Sequence, residues 1–321
     1  MELEEIYRPI RENLDEIEER LKSTGDVDSP GLSELLDYGL KGGGKRVRPI
    51  LVLLSGRIFG CPKDRLMSMG LAVEVMHLAT LVHDDTIDNS AVRWGRPTIN
   101  TLWGTEQAVL LGDYLFSYAG YLTSTTDNLR VIKLLPKTIM IISSGEIAQS
   151  RSLFNLDQTE ENYFHRIFSK TASLFVMSTV SGAVLAGAPE ESIQILQEYG
   201  HNLGIAFQIV DDILDYIGTE DEMGKPVGSD LAQGTLTLPG MLLLEQYPYE
   251  NPVEKLFREK GGDSYITEAI EMVRNSPIID QCFDVAADYR NRACCHLDQL
   301  PDNEFRRSLY GLADFIIHRR R

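Results

Sequence analysis

One spacing of acidic residues occurs twice in this chain, each time on an apolar helical run, and it limits what the rest can fold into. From Ala72 to Val82 only Glu74, His77 and Thr80 are not apolar, and then Asp84, Asp85 and Asp88 arrive within five positions. On a helix, Asp84 and Asp88 stand one turn apart on a single face, with Asp85 alongside. The same D-D-x-x-D spacing returns as Asp211, Asp212 and Asp215, in a run that carries Ile205, Phe207, Ile209, Val210, Ile213, Leu214, Tyr216 and Ile217. That run is apolar nearly all round, so its helix is predicted to be central. Carboxylates concentrated there are costly unless cations offset them. One acidic patch alone reads as a solvated helix end. Two patches with one spacing point to a shared cavity in which both hold hard divalent cations through oxygen ligands.

The remainder reads as helix. Helical patterns are predicted over Glu2 to Leu21, Ser33 to Leu40, Ile50 to Phe59 and Arg65 to Asp88, then over Gln107 to Ser124, Asn128 to Phe154, Thr159 to Ala186 and Pro189 to Ile217. Asn89 to Asn100 and Gly218 to Gly234 read as polar connections, and Leu236 to Arg321 as shorter helices. The β-branched run Thr138 to Ile142 is too isolated to support a sheet. There is no strand–turn–helix alternation, no hairpin signal of the Asn-Gly type and no repeat of fixed period. The expectation is one all-α domain covering residues 1–321.

A net charge of -17 argues against general affinity for nucleic acid or anionic membranes. No uninterrupted apolar stretch is long enough to predict a transmembrane segment. The four cysteines form no C-x-x-C pair and no secretory signal precedes them, so the expected location is the reducing cytoplasm. Cys294-Cys295-His296 suggests metal at first sight. Neighbours on a helix diverge by about 100°, which favours ordinary packing.

Against this acidic background the cations are conspicuous. Gly39 to Lys45 matches the first seven positions of a P-loop, but Arg46 stands where magnesium needs Ser or Thr and no apolar strand precedes it. What remains is a glycine-rich backbone beside Lys45, Arg46 and Arg48, a good place for a phosphate. His77 lies two turns before Asp84 on the same face, and Arg93 and Arg96 lie just beyond the cluster. Lys170-Thr171 interrupts an apolar helix, where a lysine needs an anion or an opening to solvent. Gln208 stands one turn before Asp212, and Lys225 follows in the next connection. Two magnesium-binding clusters with well-separated cations describe a site for diphosphates. The reaction class that suits it is departure of diphosphate from carbon, with an apolar wall to house a hydrocarbon and exclude water.

In these stretches the chain resembles the trans-isoprenyl diphosphate synthase (polyprenyl synthetase) family along nearly its whole length. The matching residues stand in family order: Gly43 to Pro49, His77 with Leu81 to Asp88, Arg93 with Gly95 and Pro97, then Gly112-Asp113-Tyr114-Leu115. Gly145-Glu146, Lys170-Thr171-Ala172, Phe207 to Asp215 and Gly224-Lys225-Pro226 complete the set. The resemblance implies a helical bundle around a deep central cavity, as a homodimer. It implies three Mg2+ ions held by Asp84, Asp88 and Asp211, with Asp85, Asp212 and Asp215 shaping the clusters. It gives the allylic diphosphate to Arg93, Lys170 and Lys225, and isopentenyl diphosphate to Lys45, Arg48 and His77. Thr171 and Gln208 would lie near the developing allylic cation. The implied reaction is a head-to-tail 1′-4 condensation.

Two positions depart from the family pattern. Trp94 stands where a second arginine is usual, and Thr235 where a lysine is usual. Each replacement removes a charged contact worth roughly 1.5–3 kcal/mol, unless Arg96 or the Arg319-Arg320-Arg321 tail substitutes. Chain length follows from the helix above Asp84, where Ala79 and Thr80 are small and Met76, one turn above Thr80, is the first sizeable group. In the family, aromatic residues at the first two of these positions go with short products, so the resemblance implies that this pattern is permissive for C20 or longer. The competing readings are a class I terpene cyclase, which needs no second diphosphate site, and a non-catalytic or weakly active partner subunit of a heteromeric synthase.

Overall fold

Pro9 breaks the first predicted helix. The computed structural model, which describes residues 3–25, 27–40, 44–219 and 226–319, places α1 at Leu3–Tyr7, a 3-10 turn at Arg8–Ile10 and α2 at Arg11–Ser23. Proline offers no N–H to the helical ladder, so one apolar periodicity becomes two helices. Then follow α3 (Pro30–Leu40), α4 (Val47–Arg57) and α5 (Lys63–Ile87). A short hairpin, β1 (Val92–Arg93) and β2 (Arg96–Pro97), leads to α6 (Ile99–Trp103), α7 (Thr105–Ser124) and α8 (Leu129–Arg151). The predicted helix Thr159 to Ala186 forms as α9 (Glu160–Ile167), one π-helical turn (Phe168–Ala172) and α10 (Ser173–Leu185). After α11 (Glu190–Ile217) come α12 (Ser229–Ala232), α13 (Leu238–Gln246), α14 (Pro252–Glu259), α15 (Asp263–Arg274), α16 (Ile278–Cys294) and α17 (Glu304–His318).

The described residues therefore form an all-α fold apart from the hairpin, which the sequence reading did not anticipate. Its partners are Val92 with Pro97 and Arg93 with Arg96, joined by Trp94 at φ 51° and Gly95 at φ 72°. Two consecutive left-handed residues make the turn that matches strand twist. Asn-Gly is the usual signal for it, and a bulky residue such as Trp94 rarely enters that region.

Residues fall into two compact units: Met1–Ile139, Leu174–Gly200 and Cys295–Leu312 in one, Met140–Ser173, His201–Cys294 and Ala313–Arg321 in the other. In the first, α5 packs against α7, α4 and α2, and residues from Leu66 to Val82 on several of its faces are buried. Gly112 lets α7 approach α5 closely, since a Cβ there would stand 2.1 Å from His83 Nε2. In the second, Ile205, Ile209, Val210, Ile213 and Leu214 of α11 form a core with Tyr163 and Ile167 of α9 and with residues of α13 to α16. Burying each such side chain contributes about 1.5–3 kcal/mol.

Two helical stretches, Lys63–Ile87 and Glu160–Leu185, are long and apolar enough to cross a membrane, yet 72% and 83% of their apolar windows are buried. They are core helices. Cys294 is buried and Cys295 exposed, as diverging helix neighbours should be.

Candidate active site

In the first unit, α5 delivers Asp84, Asp85 and Asp88 to one helix end with unequal surroundings. Asp85 is buried and held by Arg93, whose Nε donates to Oδ1 at 2.8 Å and Oδ2 at 2.9 Å while Nη2 lies 2.7 Å from Oδ1. This charge-assisted clamp fastens the hairpin to the helix end. Asp84 is half-buried and Asp88 exposed. The hairpin's other arginine is occupied elsewhere, because Arg96 lies 4.2 Å over the Tyr38 ring while the Tyr38 hydroxyl donates to Pro97 O at 2.7 Å.

The basic loop divides its work. Arg46, left-handed at φ 50° at the start of α4, binds Glu18 and donates to the buried Glu74 Oε1 at 2.7 Å. It therefore offsets the charge of an acid inside the core. Arg48 is half-buried with its guanidinium 5.4 Å from the Phe175 ring centre, and Lys45 is half-buried. Burial pushes the His77 imidazole well below the ordinary histidine range, and the charges of Arg48, Arg93 and Arg46 act in the same direction. His77 thus offers a neutral N–H, and Lys45 and Arg48 bring the charge. Gly42 and Gly43 lie outside the described residues.

Lys170 and Thr171 of the second unit sit in the π-helical turn Phe168–Ala172. Such a turn inserts one residue into the helical ladder and re-aims the side chains beside it. Gly145 makes room for it, since a Cβ there would stand 2.5 Å from Ser169 Cβ. Lys170 Nζ pairs with Glu146 Oε1 at 2.8 Å. The Thr171 hydroxyl donates to Gln208 Oε1 at 2.6 Å, and Gln208 Nε2 donates to Asp212 Oδ1 at 2.8 Å. Tyr163, fully buried, donates its hydroxyl to Asp212 Oδ2 at 2.7 Å. Burial pushes the Asp212 carboxyl up to about 7, the Asp230 charge adds to that, and the bonds from Gln208 and Tyr163 oppose it.

The other two acids of that cluster differ again. Asp215 is buried and accepts from Ser229 Oγ at 2.9 Å and from the Asp230 N–H at 3.1 Å, which ties down the start of α12. Asp211 keeps 38% of its side chain exposed and pairs with Arg319 Nη2 at 2.6 Å. Arg319 also donates to Phe207 O at 2.8 Å and lies 3.7 Å over the Phe207 ring. Thr235 is buried, with its N–H on Asp230 O at 2.8 Å, and Trp94 is 46% exposed. Lys225, Arg320 and Arg321 lie outside the described residues.

The family model for polyprenyl synthetase matches residues 29–273. The chain is 37% identical to heptaprenyl diphosphate synthase component 2 of Geobacillus stearothermophilus over 319 residues, covering 98% of each chain. Among solved structures, heptaprenyl diphosphate synthase from Staphylococcus aureus superposes with a TM-score of 0.92 at 34% identity, covering 97% of this chain and 98% of that one. A polyprenyl synthase from Caulobacter crescentus, complexed with calcium and isoprenyl diphosphate, superposes with a TM-score of 0.93 at 33% identity, covering 100% of this chain and 98% of that one. This chain belongs to the polyprenyl synthetase family.

As a polyprenyl synthetase it is a prenyltransferase with the all-α fold of isoprenyl diphosphate synthases. The family's use of divalent metal fits the residues present. Among the described residues no three His, Cys, Asp or Glu side chains converge into a ready ligand set. Magnesium seldom asks for one, because it takes one or two carboxylates and completes its shell with phosphate oxygens and water. Asp84, Asp88 and Asp211 keep solvent-facing surface.

Chain-length candidates in this polyprenyl synthetase all lie on α5. Met76 and Ala79 are fully buried, and Thr80 is half-buried with its hydroxyl on His77 O at 2.7 Å. Sequence reasoning overlooked Tyr163, which contacts Asp212, and the partnerships of Glu146 with Lys170 and Arg319 with Asp211. Glu146 did stand in a matching motif. Nothing in the residue pattern marked Tyr163.

Proposed function

We propose that this polyprenyl synthetase catalyses the Mg2+-dependent head-to-tail 1′-4 condensation of isopentenyl diphosphate with an allylic diphosphate, giving products of C20 or longer. One observation carries the reading. In each cluster the carboxylates with solvent-facing surface, Asp84 and Asp88 in one and Asp211 in the other, are those this chemistry assigns to metal. Asp85, Asp212 and Asp215 are buried and satisfied by protein donors, which suits residues that shape the clusters.

On this reading Asp84, Asp88 and Asp211 would hold three magnesium ions, which when bound would supply the charge that offsets the negative charge on the departing diphosphate. The chain's own groups do the rest. Arg93, already oriented by Asp85, acts with Lys170 and Lys225 to hold the allylic diphosphate. Lys45, Arg48 and the neutral N–H of His77 hold isopentenyl diphosphate. Thr171 and Gln208 lie beside the allylic carbon as it becomes cationic, and the wall above Asp84 excludes water. The isopentenyl double bond attacks that carbon, and its proton leaves to the released diphosphate, so no side-chain nucleophile is needed.

The reading extends to organisation. The whole chain acts as one catalytic domain in the cytoplasm, as a homodimer. Exposed Leu102, Val109, Leu110 and Tyr121 on α6 and α7, with stacked Tyr114, Tyr118 and Tyr121, supply an apolar face for a second copy. The test is incubation with Mg2+, labelled isopentenyl diphosphate and an allylic primer. Elongated diphosphates support the synthase, cyclic hydrocarbons a cyclase, and no turnover a dependent partner subunit.

A further inference from the structure

Six hydroxyl side chains lie between Ser169 and Ser181, and five of them do one thing. Ser169, Ser173, Ser178 and Thr179 donate to the carbonyl four residues back, and Ser181 to the carbonyl three back. That is the ordinary fate of a hydroxyl inside a helix. Thr171 departs from it by giving its only hydrogen to a side chain, Gln208 Oε1 at 2.6 Å. The difference originates outside the helix. With Asp212 ionised, Gln208 Nε2 points at its carboxylate, because the reversed amide would set a carbonyl oxygen against a carboxylate oxygen with no hydrogen between them. Asp212 is fixed in turn by the fully buried Tyr163, whose single hydroxyl hydrogen goes to the second carboxylate oxygen.

We infer that Tyr163 is a positioning residue which holds the Asp212 carboxylate in place, so that Asp212, through Gln208, sets the polarity of the Thr171 hydroxyl. The proposed function is the premise of this inference. Every bond in the chain runs one way, from Tyr163 O–H and Gln208 N–H onto Asp212, and from Thr171 O–H onto Gln208. Thr171 Oγ1 is thereby left as an acceptor only, and its lone pairs are what it presents to a neighbour. An electron-poor allylic carbon is stabilised by that end of the hydroxyl dipole and opposed by the other. Arg166 braces the arrangement without joining it. Its guanidinium lies 5.5 Å from the Tyr163 ring centre and donates to Gln158 Oε1 at 2.8 Å and Leu236 O at 2.5 Å.

The experiment is a double-variant cycle on the full-length protein. Turnover of isopentenyl diphosphate with an allylic primer and the melting temperature are measured for wild type, Tyr163→Phe, Thr171→Val and the pair. Tyr163→Phe should lower kcat about tenfold, one hydrogen bond's worth, and shift both KM values by less than about twofold. In the Thr171→Val background it should add nothing, since no hydroxyl remains to be set. Thr171→Ser keeps a hydroxyl and should keep the sensitivity to Tyr163→Phe. If Tyr163→Phe folds poorly, Asp212→Asn serves in its place. Its amide can accept from Tyr163 and donate to Gln208, which turns the Gln208 NH2 toward Thr171; the loss should be at least as large, and smaller in the Thr171→Val background by the part that the Thr171 hydroxyl carries. An equal kcat loss with and without the Thr171 hydroxyl overturns the inference, as does a loss confined to KM or to melting temperature. Absence of wild-type turnover overturns the functional reading itself, and this inference with it.

Discussion

The two acidic clusters share a spacing and differ in what holds them. In the first, Arg93 takes the middle acid, Asp85, while Asp84 and Asp88 keep solvent-facing surface at the end of α5. In the second, Tyr163 and Gln208 take Asp212, Ser229 and the Asp230 N–H take Asp215, and only Asp211 retains substantial exposure. A D-D-x-x-D pattern fixes which carboxylates share a helix face. The donors around it decide which of them are available to a ligand. One cluster therefore keeps two carboxylates with solvent-facing surface and the other keeps one.

The largest effects should separate outward acids from inward ones. Asp84→Asn and Asp211→Asn should each cut turnover by about a thousandfold or more, since the proposed reading places these charges where the leaving group is stabilised. Their melting temperatures should stay near wild type. Asp215→Ala removes the acceptor of the half-buried Ser229 hydroxyl and of the Asp230 N–H, and should lower stability by about 1 kcal/mol or more for the two donors together. Steady-state kinetics and thermal melts on the same preparations check this. Equal catalytic losses at Asp84 and Asp215 would collapse the distinction between the clusters.

A second contrast concerns the approach to each cluster. Above Asp84 the helix carries buried Ala79 and half-buried Thr80, with buried Met76 a turn further on. Above Asp211 stands Phe207, already covered by Arg319. Product growth is thus expected along the first helix. Ala79→Phe or Thr80→Phe should shorten the dominant product by several isoprene units, read by chromatography of the dephosphorylated chains. Products of unchanged length from both variants would remove the cavity floor from this helix.

The arginines give a third. Arg93 clamps a buried acid, but Arg319 pairs with the outward Asp211, so a metal ion bound there as proposed would meet an internal competitor. Asp211 is more than a third exposed, which limits the pair to about 1 kcal/mol. Arg319→Gln should then lower the Mg2+ concentration for half-maximal turnover by about fivefold. An unchanged Mg2+ requirement would show that Arg319 does not compete with metal.

Most helices, the two acid spacings and the basic loop were legible because each is local. Periodicity of three and four residues and a run of glycines followed by Lys45, Arg46 and Arg48 are complete within a dozen positions. What escaped notice depends on contacts between distant residues. Tyr163 reaches Asp212 across 49 positions and Arg319 reaches Asp211 across 108, and nothing in either local pattern announces the partner. The π-helical turn at Lys170-Thr171 was hidden by an apolar run that reads as plain helix. The Trp94-Gly95 turn escaped because its first residue is one that turn chemistry disfavours.

Trp94 also supplies the smallest effect, and it belongs to the first cluster alone. The residue follows Arg93 directly, holds φ 51° and is 46% exposed. An arginine there adds a cation next to the clamp on Asp85 without changing the backbone conformation demanded of the position. Solvent screening reduces what such an exposed contact contributes, so Trp94→Arg should lower the KM for isopentenyl diphosphate by about threefold and leave kcat unchanged. Trp94→Gly is the matching control. It relieves the left-handed strain, raises stability by up to about 1 kcal/mol and adds no charge, so its KM should not fall. A KM that falls in both variants would assign the effect to the turn. A KM that moves in neither would mean that residue 94 does not face the isopentenyl diphosphate, leaving Lys45, Arg48 and His77 as the cation and donor set for that substrate.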